Sequence, residues 1–158
     1  SVLWLYKSNQ WSINNLQKES IKRNVDPERI IFAEALPIKE HLARYSLGDL
    51  ALDTFNCNGG KTTSDALWAG LPVLTKIGQS FTARISASLL TSLGLPELIT
   101  YSENEYEEKA LYIANNPEET IRLKSKLNKL KKTSTLFNSK LFTQDLENIY
   151  LNLIQKSF

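Results

Sequence analysis

Short continuous apolar runs alternate along this chain with stretches whose apolar residues recur at helical spacing. The runs predict strands at Val2–Tyr6, Ile30–Ala33, Leu50–Leu52, Pro72–Thr75 and Glu97–Thr100. Continuous rather than alternating apolar runs are typical of strands buried on both faces of a parallel sheet. The pattern therefore predicts an α/β fold, a Rossmann-like parallel sheet with helices on both faces.

Helical spacing fills the segments between these runs and the whole chain beyond Ser102. The predicted helices are Ile13–Asn24, Pro37–Arg44, Thr63–Ala69, Ala83–Leu93, Tyr106–Asn115, Pro117–Lys132 and Ser139–Lys156. Ser12 is the predicted N-cap of the first helix, and Trp4 and Trp68 are expected to be core aromatics. We expect 1–158 to form a single domain, with 103–158 as a C-terminal helical extension within it.

Composition narrows the class of protein further. The formal net charge of +2 is too small to indicate nucleic-acid binding, and no apolar run reaches the roughly 20 residues of a membrane span. The single cysteine, Cys57, excludes an internal disulfide and a cysteine-based zinc site, and we expect it to be buried. These features favour a cytoplasmic protein without nucleic-acid or membrane partners. The abrupt strand-like opening "SVLWLY" favours a piece of a longer protein.

A glycine-rich segment, "NCNGGKTTSD", follows the third predicted strand and leads into a helix. It resembles the end of an ATP-binding P-loop, but Phe55 stands where that motif needs its first glycine. Two interpretations remain. The helix start can bind a phosphate, with Lys61 as a nearby cation, or the segment is an ordinary turn in which Thr63 or Ser64 is the N-cap. Asp65 either complements the helix dipole or accepts a hydrogen bond from a sugar hydroxyl.

The segments "LDTFNCNGGKTTSDALWAGLPVLT" and "ARISASLLTSLGLPELI" closely resemble the C-terminal catalytic domain of the O-GlcNAc transferase and SPINDLY family, glycosyltransferase family 41. Shorter matches, such as "SVLWL", "EHLAR" and "LENIYL", extend the resemblance over nearly the whole chain. The resemblance implies the C-terminal, donor-binding lobe of a GT-B enzyme that is inverting and metal-independent. The activity expected of the full protein is transfer of GlcNAc from UDP-GlcNAc to serine or threonine of proteins.

Alternatives to that activity stay open at this point. Relatives of the SPINDLY type use GDP-fucose, and some bacterial relatives use UDP-glucose. A non-catalytic nucleotide-binding scaffold domain is an alternative of a different class. The resemblance implies no cofactor and no metal, and it implies an acceptor protein bound through regions upstream of this segment. No catalytic base can be named within these residues.

The resemblance also implies which residues hold the nucleobase. In the family this is the loop after the second strand, which "EALPIKEHLAR" matches here. Leu36 occupies a position whose backbone contacts uracil, His41 matches a histidine that packs on the base, and Arg44 matches an arginine near its edge. Ile38 stands where family members commonly carry a lysine.

The remaining contacts with the nucleotide sugar are implied for the glycine-rich segment and the helix after it. The residues are Gly59, Gly60, Lys61, Thr62, Thr63 and Asp65. Thr62 matches a diphosphate contact and Asp65 a residue that binds the ribose. Lys61 is expected to supply a charge where a histidine dipole acts in animal members of the family.

Arg84 and the last predicted helix raise questions of packing. Arg84 is expected either to contact the cleft or to make a structural ion pair or helix cap. The last predicted helix carries an apolar stripe of Phe142, Leu146, Ile149, Tyr150 and Leu153. By analogy with GT-B enzymes the stripe would pack on the other lobe, and without that lobe we expect it to be exposed and to drive dimerisation.

Overall fold

The computed structural model describes residues 1–155, which fall into two compact units, Ser1–Ala43 and the chain from Arg44 onward. The strands are β1 Leu3–Tyr6, β2 Ile30–Ala33, β3 Ala51–Leu52, β4 Val73–Lys76 and β5 Ile99–Thr100. The α-helices are α1 Gln10–Lys22, α2 Ile38–Arg44, α3 Lys61–Ala69, α4 Ile85–Leu93, α5 Glu103–Asn115, α6 Pro117–Thr133 and α7 Ser139–Gln155. Short 3-10 turns lie at Pro27–Arg29, Tyr45–Leu47, Pro96–Leu98 and Thr135–Phe137. The predicted α/β architecture is confirmed.

In the first unit, β1 and β2 form a parallel pair whose register runs from Leu3 opposite Ile30 to Tyr6 opposite Ala33. The helix α1 connects them, as a parallel pair requires. Its N-cap is Asn9, whose side chain accepts the Ser12 N–H at 2.9 Å. The prediction of Ser12 as the cap was wrong, because the helix starts at Gln10, three residues before the predicted start, and Asn9 therefore takes the capping position.

The strands of this unit are not covered on both faces. Trp4 is 38% exposed and Ile31 is 44% exposed, so the expectation of a core Trp4 was wrong. A unit of about 40 residues has too little surface to cover two faces of its own sheet. Near the end of α1, Glu19 accepts hydrogen bonds from Lys22 at 2.7 Å and from Arg23, and these bonds lower the pKa of Glu19 to about 2.

The second unit is built on the parallel sheet β3-β4-β5, with β4 in the middle. Val73 and Leu74 of β4 are at most 2% exposed, which confirms the predicted buried strand. Buried apolar side chains from β4, α3, α4, α5, α6 and the loops between them form one core: Ala66, Leu67, Leu71, Val73, Leu74, Leu90, Leu93, Leu95, Leu98, Ile113, Leu123 and Leu127.

The helix ends of this unit follow the sequence signals. Gly70 and Gly94 end α3 and α4 in the left-handed conformation, at φ 90° and 84°, which glycine adopts without steric cost. The basic helix α6 is amphipathic, since Leu123 and Leu127 face the core. Trp68 is 53% exposed and packs edge-on against Phe137 at 5.2 Å, so its assignment to the core was wrong.

The final helix, α7, leaves most of its apolar stripe exposed. Phe142, Ile149, Tyr150 and Leu153 are each more than half exposed, and Leu146 is half-buried. The exposure matches the expectation, and dimerisation through this stripe stays a prediction. Within residues 1–155, no helix has both the length and the apolar character that crossing a membrane would require.

Candidate functional site

The loop from β3 to α3, residues 53–60, lies at the carboxyl edge of the second unit's sheet. Asp53 ties this loop to the sheet with both carboxylate oxygens. Its Oδ1 accepts the N–H of Gly59 at 2.8 Å, and its Oδ2 accepts the hydroxyl of Thr75 on β4 at 2.7 Å. Tyr106 of α5 donates to the backbone carbonyl of Asp53 at 3.0 Å. Sequence reasoning missed Asp53, although an acidic residue directly after a predicted strand was an available signal.

Phe55 is a packing residue of this loop. Its ring meets Tyr106 edge-on at 5.0 Å between centroids, and the Lys76 ammonium lies 4.3 Å from the Phe55 centroid. Burial, and secondarily the charge of Asp53, raises the pKa of the Tyr106 phenol. A bulky aromatic in this position cannot supply the glycine geometry of an ATP-binding P-loop, so the structure disfavours that alternative.

Asn58 fastens the middle of the loop. Its Nδ2 donates to the carbonyls of Thr54 at 2.7 Å and Phe55 at 3.3 Å, and its own N–H donates to Thr82 O at 2.9 Å. Asn58 is 5% exposed, and among the described residues its Oδ1 has no hydrogen-bond partner. Cys57 is exposed, which corrects the expectation of a buried thiol. In this part of the loop Asn58 is the buried residue, and the side chain of its neighbour Cys57 is exposed.

The helix α3 begins at Lys61, two residues before the predicted start. Gly60 precedes it at φ −85° and ψ −80°, and no side chain caps the helix. The first bond into the helix runs from Ser64 N to Gly60 O at 3.0 Å, so the N–H groups of Lys61, Thr62 and Thr63 lack helical acceptors. The alternative in which Thr63 or Ser64 is an ordinary N-cap was therefore wrong. Uncapped N–H groups and the helix dipole favour an anion here.

Thr63 is buried and its hydroxyl serves the fold. Thr63 Oγ1 lies 2.8 Å from Ser86 Oγ, and Ser86 donates to Gly59 O at 3.0 Å. Because Ser86 has one hydroxyl hydrogen, Thr63 is the donor in their mutual bond. Gly59 is needed for space, since a Cβ there would lie 2.4 Å from Thr62 Oγ1 and 2.8 Å from Thr63 Oγ1. Thr63 is thus left with its backbone N–H for a ligand.

An ion pair stands on the exposed side of the same helix start. Lys61 Nζ lies 2.6 Å from Asp65 Oδ2, with the lysine side chain 76% exposed and the aspartate side chain 20% exposed. The 3-10 turn Tyr45–Leu47 packs on α3. Burial, followed by the charge of Asp65, raises the pKa of Tyr45, while Arg44 and Lys61 act in the opposite sense. The Tyr45 phenol therefore lies within the electrostatic influence of Asp65, Arg44 and Lys61.

Two of the other predicted site residues belong to the first unit. Leu36 is exposed in the segment between β2 and α2, and His41 is half-buried in α2, where its N–H donates to Pro37 O at 2.8 Å. Their roles at the nucleobase stay predictions. In the second unit, Arg84 precedes α4 and donates from Nη1 to Gly78 O at 3.1 Å, which favours the structural alternative for that residue.

The sequence profile of glycosyl transferase family 41 matches residues 1–146. The chain belongs to glycosyl transferase family 41. It is similar to UDP-N-acetylglucosamine--peptide N-acetylglucosaminyltransferase of Caenorhabditis elegans, with 33% identity over 149 residues, which are 94% of this chain and 13% of that protein. It is also similar to the probable enzyme of the same kind, SEC, of Arabidopsis thaliana, with 33% identity over 154 residues, 97% of this chain and 16% of that protein.

A solved O-GlcNAc transferase structure shares the fold. A mutant O-GlcNAc transferase of Thermobaculum terrenum matches with a TM-score of 0.87 and 30% identity, covering 94% of this chain and 29% of the other. The family assignment and the Rossmann-like GT-B lobe expected from the sequence are confirmed. The chain spans less than a third of the length of each of these three relatives. Among residues 1–155, no group of three or more His, Cys, Asp or Glu side chains could hold a metal ion.

Proposed function

We propose that this chain is the donor-binding lobe of an inverting, metal-independent glycosyltransferase that transfers GlcNAc from UDP-GlcNAc to serine or threonine of proteins. The observation that carries the proposal is the uncapped start of α3 behind the β3–α3 loop, residues 53–60, which Asp53 holds on the sheet and which we call the glycine loop. Relatives named for this reaction support it, since they match nearly the whole chain. Family membership by itself does not say which groups of this loop would bind the diphosphate.

The loop offers the groups that a leaving diphosphate needs. Three N–H groups of Lys61, Thr62 and Thr63 lack helical partners, the exposed Thr62 hydroxyl is a further donor, and Lys61 brings a positive charge. Gly59 and Gly60 let the backbone come close to the phosphates. Donors fixed before the reaction stabilise the charge that develops on the departing diphosphate, which is the task that a divalent cation has in metal-dependent enzymes.

The nucleoside is assigned to a second set of residues. Asp65 accepts hydrogen bonds from the ribose hydroxyls, and Arg44 contacts the edge of the base. The roles at the nucleobase that the sequence predicts for Leu36 and His41 are part of the proposal. In this proposal the acceptor protein binds through regions of a longer protein, and the enzyme works in the cytoplasm.

The test is a titration of the chain with UDP at high protein concentration in EDTA. UDP binding is expected to survive EDTA and to weaken about 10-fold or more in both Thr62→Ala and Asp65→Ala, since each removes a hydrogen bond to a charged group. Thr133→Ala, at the end of α6, is the matched control and should bind UDP like the parent chain. If neither this chain nor the full-length protein binds UDP, the proposal is wrong. A parallel titration with UDP-GlcNAc, UDP-glucose and GDP-fucose identifies the donor.

A further inference from the structure

We propose that Lys61 sets the relative affinity of the site for a nucleoside and for a nucleoside diphosphate. Its ammonium competes with the ribose for the Asp65 carboxylate and stabilises a bound diphosphate. Lys61 therefore weakens the binding of a nucleoside and strengthens the binding of a nucleoside diphosphate. The inference rests on the proposed function, and it assigns opposite effects on two ligands to a single side chain.

The first step is the geometry of the pair. Lys61 is the first residue of α3 and Asp65 lies one turn later, so both side chains share a face of the helix. The Nζ to Oδ2 distance is 2.6 Å. The Asp65 side chain is four-fifths covered by its surroundings and the Lys61 side chain is three-quarters exposed. Asp65 is therefore the fixed partner, and Lys61 is the partner that can change position.

The second step is the competition at Asp65. A ribose presents two neighbouring hydroxyls, and a carboxylate receives both when each of its oxygens is open to a donor. Lys61 occupies Oδ2, so a ribose must displace the ammonium or bind through fewer contacts. An exposed ion pair of this spacing is worth a factor of about 1.5 to 5 in an equilibrium constant. That factor is the amount by which Lys61 lowers the affinity for a nucleoside.

The third step is what the displaced ammonium meets. Lys61 lies at the helix start, beside the N–H groups of Thr62 and Thr63 that lack helical partners. A diphosphate bound at those groups places several negative oxygens within reach of a flexible lysine. Charge-assisted hydrogen bonds of this kind strengthen a binding constant by a factor of about 10 or more, which exceeds the cost of breaking the ion pair with Asp65. The net effect of Lys61 on a nucleoside diphosphate is therefore favourable.

The experiment compares uridine and UDP on four versions of the protein: parent, Lys61→Met, Asp65→Asn and the double variant. Ligand-observed NMR competition reaches the weak affinities expected of uridine. Lys61→Met should bind uridine about 1.5-fold to 5-fold more tightly and UDP about 10-fold more weakly. In the Asp65→Asn background the same lysine change should still weaken UDP, but the gain for uridine should vanish. Lys61→Arg should bind uridine and UDP with affinities close to those of the parent, because it keeps the positive charge.

Lys129→Met is the matched control, since it removes one exposed lysine charge from α6. Its neighbour Asn128 lies next to Gly70, at the opposite end of α3 from Lys61. This variant should bind both ligands like the parent. The inference is overturned if Lys61→Met changes both affinities in the same direction or changes neither. A parent chain that binds neither uridine nor UDP, alone or at full length, instead overturns the proposed function and the inference with it.

Discussion

A methyl group added at Gly59 would fall inside the contacts that hold the glycine loop on the start of α3. The Cβ of an alanine there would lie 2.4 Å from Thr62 Oγ1 and 2.8 Å from Thr63 Oγ1. A Cβ, which makes no hydrogen bond, does not come this close to an oxygen in real proteins, so one or both threonine side chains must move. Thr63 has little freedom to do so, because it is 3% exposed and bonded to Ser86.

The cost of Gly59→Ala has two parts. Displacing the Thr63 hydroxyl leaves a buried polar group without its partner, which costs about 1–3 kcal/mol. Forcing extra volume into a packed site costs about 1–3 kcal/mol as well, and the two parts overlap because they concern the same atoms. We expect a loss of about 2–4 kcal/mol in the free energy of unfolding. For a chain of this length, that corresponds to a fall of roughly 5–15 °C in the melting temperature.

The neighbouring glycine provides a matched control for stability. A Cβ at Gly60 would lie 3.8 Å from its nearest neighbour, Ile85 Cγ2, which is ordinary van der Waals contact. Gly60→Ala should therefore change the free energy of unfolding by less than about 1 kcal/mol. Urea unfolding of the parent and both variants, followed by circular dichroism, measures the difference. Equal losses in the two variants, or no loss in Gly59→Ala, would refute the crowding argument.

Three further outcomes are expected. Tyr106→Phe should lose about 0.5–1.5 kcal/mol at neutral pH with its bond to Asp53 O, measured by urea unfolding. Burial raises the pKa of Tyr106 in the fold, so its stabilising effect is complete below about pH 10 and is lost as the pH rises further; the variant should be less sensitive to alkali. Leu127→Ala, at 0% exposure, should cost about 2–5 kcal/mol, whereas Ile121→Ala on the same helix, at 69% exposure, should cost under about 0.5 kcal/mol in the same assay. The lowered pKa of Glu19 predicts stability that is present above pH 4.5 and lost as the pH falls toward about 2. In urea unfolding at low salt, the free energy of unfolding of Glu19→Gln should therefore fall less than that of the parent over this pH range. An equal fall in parent and variant would contradict the assignment.

Local signals in the sequence determined most of the secondary structure. Continuous apolar runs located all five strands, because backbone and side-chain preferences act over a few residues. Gly70 and Gly94 ended α3 and α4 where predicted, since each adopts a conformation that other residues avoid. The missing glycine at Phe55 already argued against an ATP-binding P-loop. The family resemblance, carried by long contiguous segments, needed no coordinates.

Only the tertiary structure decided how the glycine loop is held. Asp53, Thr75 and Tyr106 are far apart in the sequence, and their hydrogen bonds exist because β3, β4 and α5 meet at one edge of the sheet. The same packing pairs Thr63 with Ser86 of α4, so α3 begins at Lys61 instead of at a threonine cap. The tertiary structure also decided which side chains are exposed, as Cys57 and Trp68 illustrate. The local sequence shows that a side chain is small or apolar, but not which residues from elsewhere in the chain cover it.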